Sequence, residues 1–361
     1  MDIKSVRFIR AISIVNLYFN AKQMYGLDNE QLVIPHSVFK QPMNLIPISE
    51  VNRMYAQLEQ VTEPDFILNL TSGVDIAKFG AVGRWLFSGH DLSTTIRRIN
   101  YGVSCLQSGA FLAGAQIGAI LKWTYDNPFI HSDVKVHDSI RIAVFMTKVL
   151  REYLGEDFCP KRVMISGSRQ NRQRYQEFFG CEIGWNHKRT EVWIHSDERL
   201  AVRQKKTIAN KRLAMNFADL DDLLNMPVPD DELKSIYELV NYSCHYGLPT
   251  LNRVAELISM SEQQLQRRLH ALGLNFSTVC GYVLSNQAVN ALTQGVTIED
   301  VSRRLGYTNI ASFNRMFKKH RGVTPKEYLQ RFHDVYKTEY RVHSDVDSLN
   351  RSECLFFWTP T

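Results

Sequence analysis

The stretch Ile298–Tyr328, IEDVSRRLGYTNIASFNRMFKKHRGVTPKEY, decides how the rest of the chain is read. Ile298, Val301 and Leu305 fall at helical spacing and form the seam of a short helix that Thr297 can cap. Gly306-Tyr307-Thr308 makes a turn. Phe313 and Phe317 seam the next helix, which leaves Asn309, Ala311, Asn314, Arg315, Lys318 and Lys319 for its other faces. Gly322 ends that helix, and Thr324-Pro325-Lys326-Glu327 is a capping box with Pro at the first helical position.

A weaker copy lies 47 to 49 residues upstream. In TLNRVAELI (Thr250–Ile258) Leu251, Val254 or Ala255, and Ile258 give one apolar face. Ser259-Met260-Ser261 interrupts it, and Ser261 with Gln264 forms a capping box that starts a second helix at Glu262. Leu265, Leu269 and Leu272 seam this helix, Gln263, Gln264, Gln266, Arg267 and Arg268 cover its surface, and Gly273 stops it. Val254 matches Val301, Leu265 matches Phe313 and Arg267 matches Arg315, so the economical reading is two helix-turn-helix units in tandem.

Such a pair suits double-stranded DNA for a physical reason. An α-helix fits the major groove, where Gln and Asn can bond adenine bidentately and Arg can bond guanine. Two second helices about one DNA turn apart, roughly 34 Å, would read successive grooves on one face. The expected base-reading set is Gln263, Gln264, Gln266, Arg267, Asn309, Ala311, Asn314 and Arg315. Arg268, Ser312, Lys318, Lys319 and Arg321 are expected on phosphates. The bland alternative, a helical bundle with a solvated polar face, does not account for two copies with matched arginines.

SFNRMFKKHRGVTPKEY resembles the signature of the AraC family of bacterial transcription regulators. The turn GYTN, the F-x-x-x-F-K-K core and G-V-T-P-x-x-Y occur in the family's order and spacing, over roughly residues 231 to 332. The resemblance implies that Gln263, Gln266 and Arg267, with their counterparts Ala311, Asn314 and Arg315, face bases. The connecting segment Tyr282–Gln294 departs from the family: Gln287 stands where arginine is usual, and the segment runs a residue or two short before Val296.

At 361 residues, 44% hydrophobic and 22% charged, the chain is long enough for two globular domains. Its net charge of +6 resides entirely in residues 245 to 333, which hold 11 Lys and Arg against 5 Asp and Glu. That localisation points to phosphate neutralisation by the repeat region. Six scattered cysteines without a C-x-x-C pair, and an amino terminus without an apolar run and cleavage site, predict reduced thiols in a cytoplasm. The most apolar run, Gly109–Leu121, is too short for the roughly 20 residues of a spanning helix. It reads as core, two strands around Gly114, and no membrane partner is expected.

Residues 1–200 alternate helical and extended patterns, which predicts an α+β domain ahead of the all-α tandem helix-turn-helix domain. Helices are expected at Ile48–Val61, at Leu92–Cys105, from Ser139 to Leu154 behind an Asp138 cap, and from Ser168 to Phe179. Ile117–Tyr125, Arg162–Ser166, Cys181–Trp185 and Glu191–His195 read as extended. MYGLDNEQLVIP, GAVGRWLFSGHDLSTTIRRINYGVS and YQEFFGCEIGWNHKRTEVWI are similar to the amino-terminal domain of the ornithine-utilisation and virulence-regulator branch of AraC proteins, labelled arabinose-binding. That resemblance implies a sensing or dimerising domain, with ligands that vary between members.

The expected organisation is therefore an effector-sensing or dimerisation domain at 1–200, a linker at 201–230, the DNA-binding domain at 231–335 and a tail at 336–361. The linker rests on the basic RQKKTIANKR, the acidic DLDD and the Pro-broken MPVPDD. Trp85, Phe87, Trp123 and Tyr125 are candidates to line an effector pocket, with plain core as the alternative. The expected partners are double-stranded DNA, a small-molecule effector of unknown identity, a second copy in a homodimer, and RNA polymerase. A ligand-independent regulator with a scaffold domain is the alternative. No catalytic constellation is found: His131, His137, Asp133 and Asp138 match no metal-ligand spacing, and neither a G-x-S-x-G elbow nor a P-loop is present, so no metal, cofactor or enzyme activity is expected.

Overall fold

The computed structural model describes residues 3–29, 31–73, 80–87, 89–203 and 225–332. The chain forms two compact units, Met1–Tyr246 with Thr250–Arg268, and Gly247–Pro249 with Leu269–Thr361. The division between the units falls within the second helix of the upstream copy, between Arg268 and Leu269. Most of the expected linker (204–224) and the whole tail (336–361) lie outside the described residues.

In the first unit the strands are β1 (Phe8–Arg10), β2 (Leu45–Pro47), β3 (Phe111–Ile117), β4 (Ile120–Asp126), β5 (Arg162–Met164), β6 (Ile183–Gly184) and β7 (Thr190–His195). β1 and β2 pair antiparallel, while the others form a sheet of order β3-β4-β7-β5-β6 in which only β5 and β6 run parallel. The helices are α1 (Val15–Tyr25), α2 (Ile48–Val61), α3 (Phe66–Ser72), α4 (Gly80–Leu86), α5 (Leu92–Leu106), α6 (Lys135–Leu154) and α7 (Arg172–Phe179). α6 is the central helix. Its Ile140, Ala143, Met146, Thr147 and Leu150 are fully buried, and it packs between α3 and β7.

Three local expectations are corrected. Asp138 does not cap α6, which begins at Lys135; its carboxylate lies inside the first turn and accepts from Arg141 Nη2 at 2.7 Å and Tyr125 Oη at 2.6 Å. A buried carboxylate is better satisfied by a guanidinium and a phenol than by a backbone amide alone. Gly109–Leu121 is not core folded about Gly114: Gly114 lies mid-strand opposite Trp123, and the chain reverses at Gly118-Ala119, where Gly118 takes φ +59°. β3 is an edge strand with nearly every residue exposed, so its small apolar composition reflects no burial. α7 starts at Arg172, after the Ser166–Asn171 loop.

The remaining helices are α8 (Glu232–Ser243), α9 (Leu251–Leu257), α10 (Glu262–Ala271), α11 (Phe276–Thr293), α12 (Ile298–Arg304) and α13 (Ile310–Arg321), and residues 325–332 are again helical. Within the second unit α11 packs against α12 and α13. Tyr307, Phe313, Phe317 and Tyr328 form a run of edge-on and tilted rings with centroids 5.7–6.0 Å apart.

Candidate nucleic-acid interface

The two copies close their turns with the same hydrogen bonds. In α9 the Met260 amide donates to Ala255 O and the Ser259 amide to Glu256 O; in α12 Tyr307 donates to Ser302 O and Gly306 to Arg303 O. Each is a Schellman end, which needs a left-handed residue. Gly306 supplies φ +85°, while the upstream copy forces a serine, Ser259, to φ +52°. The expected caps form as well. Ser261 and Gln264 close a reciprocal box, Thr297 accepts from the Asp300 amide, and Thr324 with Glu327 closes the last box. Gly273 and Gly322 stop α10 and α13 at φ +72° and +77°.

Leu265 and Leu269 of α10 and Phe313 and Phe317 of α13 are fully buried, whereas Leu272, expected in the seam, is 39% exposed. Opposite the α10 seam, Gln263, Gln266, Arg267 and His270 are exposed at i, i+3, i+4 and i+7, one continuous stripe. The equivalent stripe of α13 is Ala311, Asn314, Arg315 and Lys318, with Ala311, Arg315 and Lys318 exposed and Asn314 half-buried. Asn314 Oδ1 is buried and has no hydrogen-bond partner among the described residues. His270 went unread in the sequence, although its spacing from Gln263 was the available signal.

Other expected contacts are occupied within the protein. The Gln264 side-chain oxygen accepts from the Ser261 amide, and Asn309 Oδ1 accepts from Ala311 N at 2.7 Å, so both serve as caps. Arg268 makes a two-pronged ion pair with Glu232 of α8, its Nε 2.5 Å from Oε2. Arg321 donates to Asn286 of α11, and Arg315 donates to Ser312 Oγ at 3.0 Å. Lys318 and Lys319 remain exposed at the end of α13.

Within the first unit, α8 and α9 are anchored to the amino-terminal elements. Glu50, at the start of α2 and 1% exposed, accepts from Arg53 Nη1 at 2.7 Å, Tyr246 Oη at 3.2 Å and Tyr242 Oη at 3.3 Å, with Arg253 Nη2 at 3.9 Å. Burial first and the Glu50 charge second push the Tyr242 phenol well above its ordinary range. Ser49 Oγ donates to Leu257 O at 3.0 Å, and Tyr246 Oη lies 2.9 Å from Val33 O.

The same unit holds a partly open cavity of about 100 Å³ between α1, α5 and α6. Trp85, Phe87, Trp123 and Tyr125, the candidate pocket aromatics, are all buried, and none of them lines this cavity. Trp123 Nε1 donates to Asn100, and Tyr125 is held by Asp138 and Gln107, so their polar tips are consumed in the core. His137 is fully buried on α6 against Phe66, with Glu59 Oε2 3.0 Å and Arg169 Nη2 2.9 Å from its Nε2. Burial and the Arg169 charge lower its pKa to about 4. Among the described residues no three His, Cys, Asp or Glu side chains form a group that could hold a metal ion, and no helix is long and apolar enough to cross a membrane.

Residues 27–198 match the arabinose-binding domain of AraC transcription regulators, and residues 254–331 match a helix-turn-helix domain. An uncharacterised HTH-type transcriptional regulator of Mycobacterium tuberculosis is 40% identical over 84 residues, 23% of this chain and 24% of that protein. The HTH-type transcriptional regulator VqsM of Pseudomonas aeruginosa is 22% identical over 281 residues, 74% of this chain and 84% of its own. VirS of Mycobacterium tuberculosis is 27% identical over 162 residues, 43% of this chain and 45% of that protein. The aligned part thus spans about a quarter of the length of the 40%-identical relative. With both of its domains matched in order, the chain belongs to the AraC family of transcription regulators, with an arabinose-binding-type amino-terminal domain.

Proposed function

We propose that this chain is a sequence-specific, double-stranded-DNA-binding transcription regulator whose amino-terminal part answers to a small-molecule effector. Gln263, Gln266 and Arg267 on α10, with Asn314 and Arg315 on α13, read bases; Lys318 and Lys319 meet phosphates. The observation that carries the reading is the matched stripe on two helices that each follow an identical turn. The regulator acts in the cytoplasm as a homodimer and communicates with RNA polymerase; the reading assigns it no catalytic role. A second reading, a ligand-independent scaffold, is favoured by the open edge of β3, where Ile117 is 62% and Phe111 39% exposed and a second copy could pair. A footprint on genomic DNA, repeated with and without metabolite extract, separates the two. Protection that the extract alters supports effector control, identical protection in both supports the scaffold, and no protection refutes DNA reading.

A further inference from the structure

The helices α10 and α13 match at a constant offset of 48 residues, and they part company in what their last turns carry. Leu269 and Phe317 are both fully buried, which fixes each helix's rotation, so the next residue emerges on the exposed stripe three places after the matched arginine. That residue is Lys318 on α13 and His270 on α10. Lys318 is followed by Lys319, His320 and Arg321, whereas His270 is followed by Ala271, Leu272 and Gly273. At this end of the α10 stripe the imidazole is the group that can carry a positive charge.

The surroundings leave that charge to be set from outside. Residues 271–298 contain no Asp, Glu, Lys or Arg, so α11, which follows α10, presents no formal charge. Its titratable side chains are the phenol of Tyr282 and the thiol of Cys280, which burial pushes up to about 12. On α10 itself Arg267 lies one turn back on the same stripe, Glu262 lies two turns back, and Arg268 is held by Glu232 of α8. Among the described residues His270 makes no ion pair and no side-chain hydrogen bond. Arg267 opposes protonation of the ring, and the carboxyl end of the helix favours it. A phosphate oxygen against the ring tips that balance toward the imidazolium.

Resting on the reading of α10 and α13 as DNA-binding helices, we propose that His270 is the phosphate contact of the upstream helix, the counterpart of Lys318, and that DNA binding takes up a proton there. A base edge is the poorer partner, because recognition helices place their amino-terminal residues on bases and His270 is the last residue but one of α10. Lysine holds its charge throughout the physiological range, whereas imidazole gains its charge between about pH 8 and 5. The phosphate raises the pKa of the bound state above that of the free protein. The gain in affinity is therefore fully present below the free-state value and is lost as the pH rises through the bound-state value. The two copies thus hold DNA with different pH responses, α13 through fixed charges and α10 through a titrating one.

The test measures affinity of the full chain by fluorescence anisotropy from about pH 6 to about pH 8, on a random-sequence duplex of about 30 base pairs and on the fragment protected in the footprint. On acidification the parent protein gains about fivefold more affinity than His270→Lys, and its log-log salt slope steepens by about one unit. His270→Lys keeps the steep slope throughout and His270→Ala the shallow one. Calorimetric titration in two buffers of different ionisation heat gives an independent readout, in which the parent takes up more protons on binding than His270→Lys. His320, half-buried with its ring against Gly281 of α11, is present in both proteins and cancels in the comparison. Equal pH dependence and equal proton uptake in parent and His270→Lys overturn this inference and leave the DNA reading standing. A His270-dependent proton uptake on the protected fragment that is absent on the random duplex overturns the phosphate assignment. Failure of the parent to bind either duplex at any pH overturns the DNA reading and this inference with it.

Discussion

Replacing Glu50 by Gln tests whether the upstream helix-turn-helix copy is held by the amino-terminal elements through one buried carboxylate. Glutamine preserves shape and one acceptor, but it removes the charge and turns an amide donor toward groups that already donate. Arg53 is 58% exposed, so its share is under about 1 kcal/mol. The Tyr242 phenol at 3.3 Å is a long charge-assisted bond, toward the lower end of about 1.5–3 kcal/mol, and Tyr246 at 3.2 Å adds less because its single proton also serves Val33 O at 2.9 Å. Arg253, at 3.9 Å and 27% exposed, adds a partial Coulombic contribution. The expected loss is about 2–3 kcal/mol in urea unfolding of the full chain, below the 3–5 kcal/mol of breaking a fully buried pair. Phenol titration followed by ultraviolet absorbance gives a second readout: with the Glu50 charge gone, the Tyr242 phenol ionises at lower pH than in the parent protein, though still above its ordinary value because burial remains. A Glu50→Gln protein within about 0.5 kcal/mol of the parent, with Tyr242 titrating unchanged, would refute the clamp.

Three further outcomes follow from the same structure. Arg267→Ala reduces affinity by about 1–3 kcal/mol at one base position, while Lys318→Ala weakens all sequences alike and flattens the salt slope by about one unit; equal loss on specific and random DNA for Arg267→Ala would remove its base-reading role. Ser259→Gly relieves the left-handed serine and raises stability by about 0.5–1 kcal/mol, whereas Gly306→Ala lowers it, because φ is +85° there and a Cβ would stand 3.1 Å from Leu248 N. The folded-state pKa of His137, lowered to about 4, lies below its unfolded value, so the stability present above pH ~6.5 declines as the pH falls toward 4. The loss is on the order of 3 kcal/mol, and His137→Gln flattens that part of the denaturation profile.

The helix-turn-helix copies were legible because their signals are local. Capping boxes, glycine stops and apolar seams are fixed within one or two turns, and the boxes at Ser261 and Thr324 formed as spelled. What stayed hidden depends on long-range partners. Asp138 looks like a cap until Tyr125 and Arg141 are brought to it, and the Gly109–Leu121 run looks buried until β3 proves to be an edge. The pocket followed the same rule. Large aromatics are conspicuous in a sequence, yet Trp123 and Tyr125 fill the core, and the space is left where α5 and α6 present Ile99, Val144 and Phe145. Arg268 and Arg321 are basic residues on a basic helix, and only the fold reveals that Glu232 and Asn286 hold them.

An effector changes DNA binding only through its different affinity for two states of the protein, and the path available here is short. Ser13 and Asn16 line the cavity just after β1; β1 pairs with β2; and β2 ends at Pro47, three residues before Glu50. Arg10 at the end of β1 is buried and donates to Met43 O at 2.5 Å and to Cys105 O on α5 at 3.3 Å, so the β1-β2 pair is tied to the cavity wall as well as to the clamp. A tenfold change in occupancy takes about 1.4 kcal/mol, within the 2–3 kcal/mol expected of the Glu50 contacts. Linkage is reciprocal: if a ligand in the cavity shifts the clamp, breaking the clamp must shift affinity for the ligand by the same factor. Glu50→Gln is therefore expected to change the affinity for an effector in the cavity by about fivefold or more without touching a cavity residue, read as the concentration of metabolite extract that alters the DNA footprint of the full chain. If the affinity is unchanged while the stability loss is present, cavity and clamp are independent, and whatever the cavity binds cannot reach the upstream helix-turn-helix copy through Glu50.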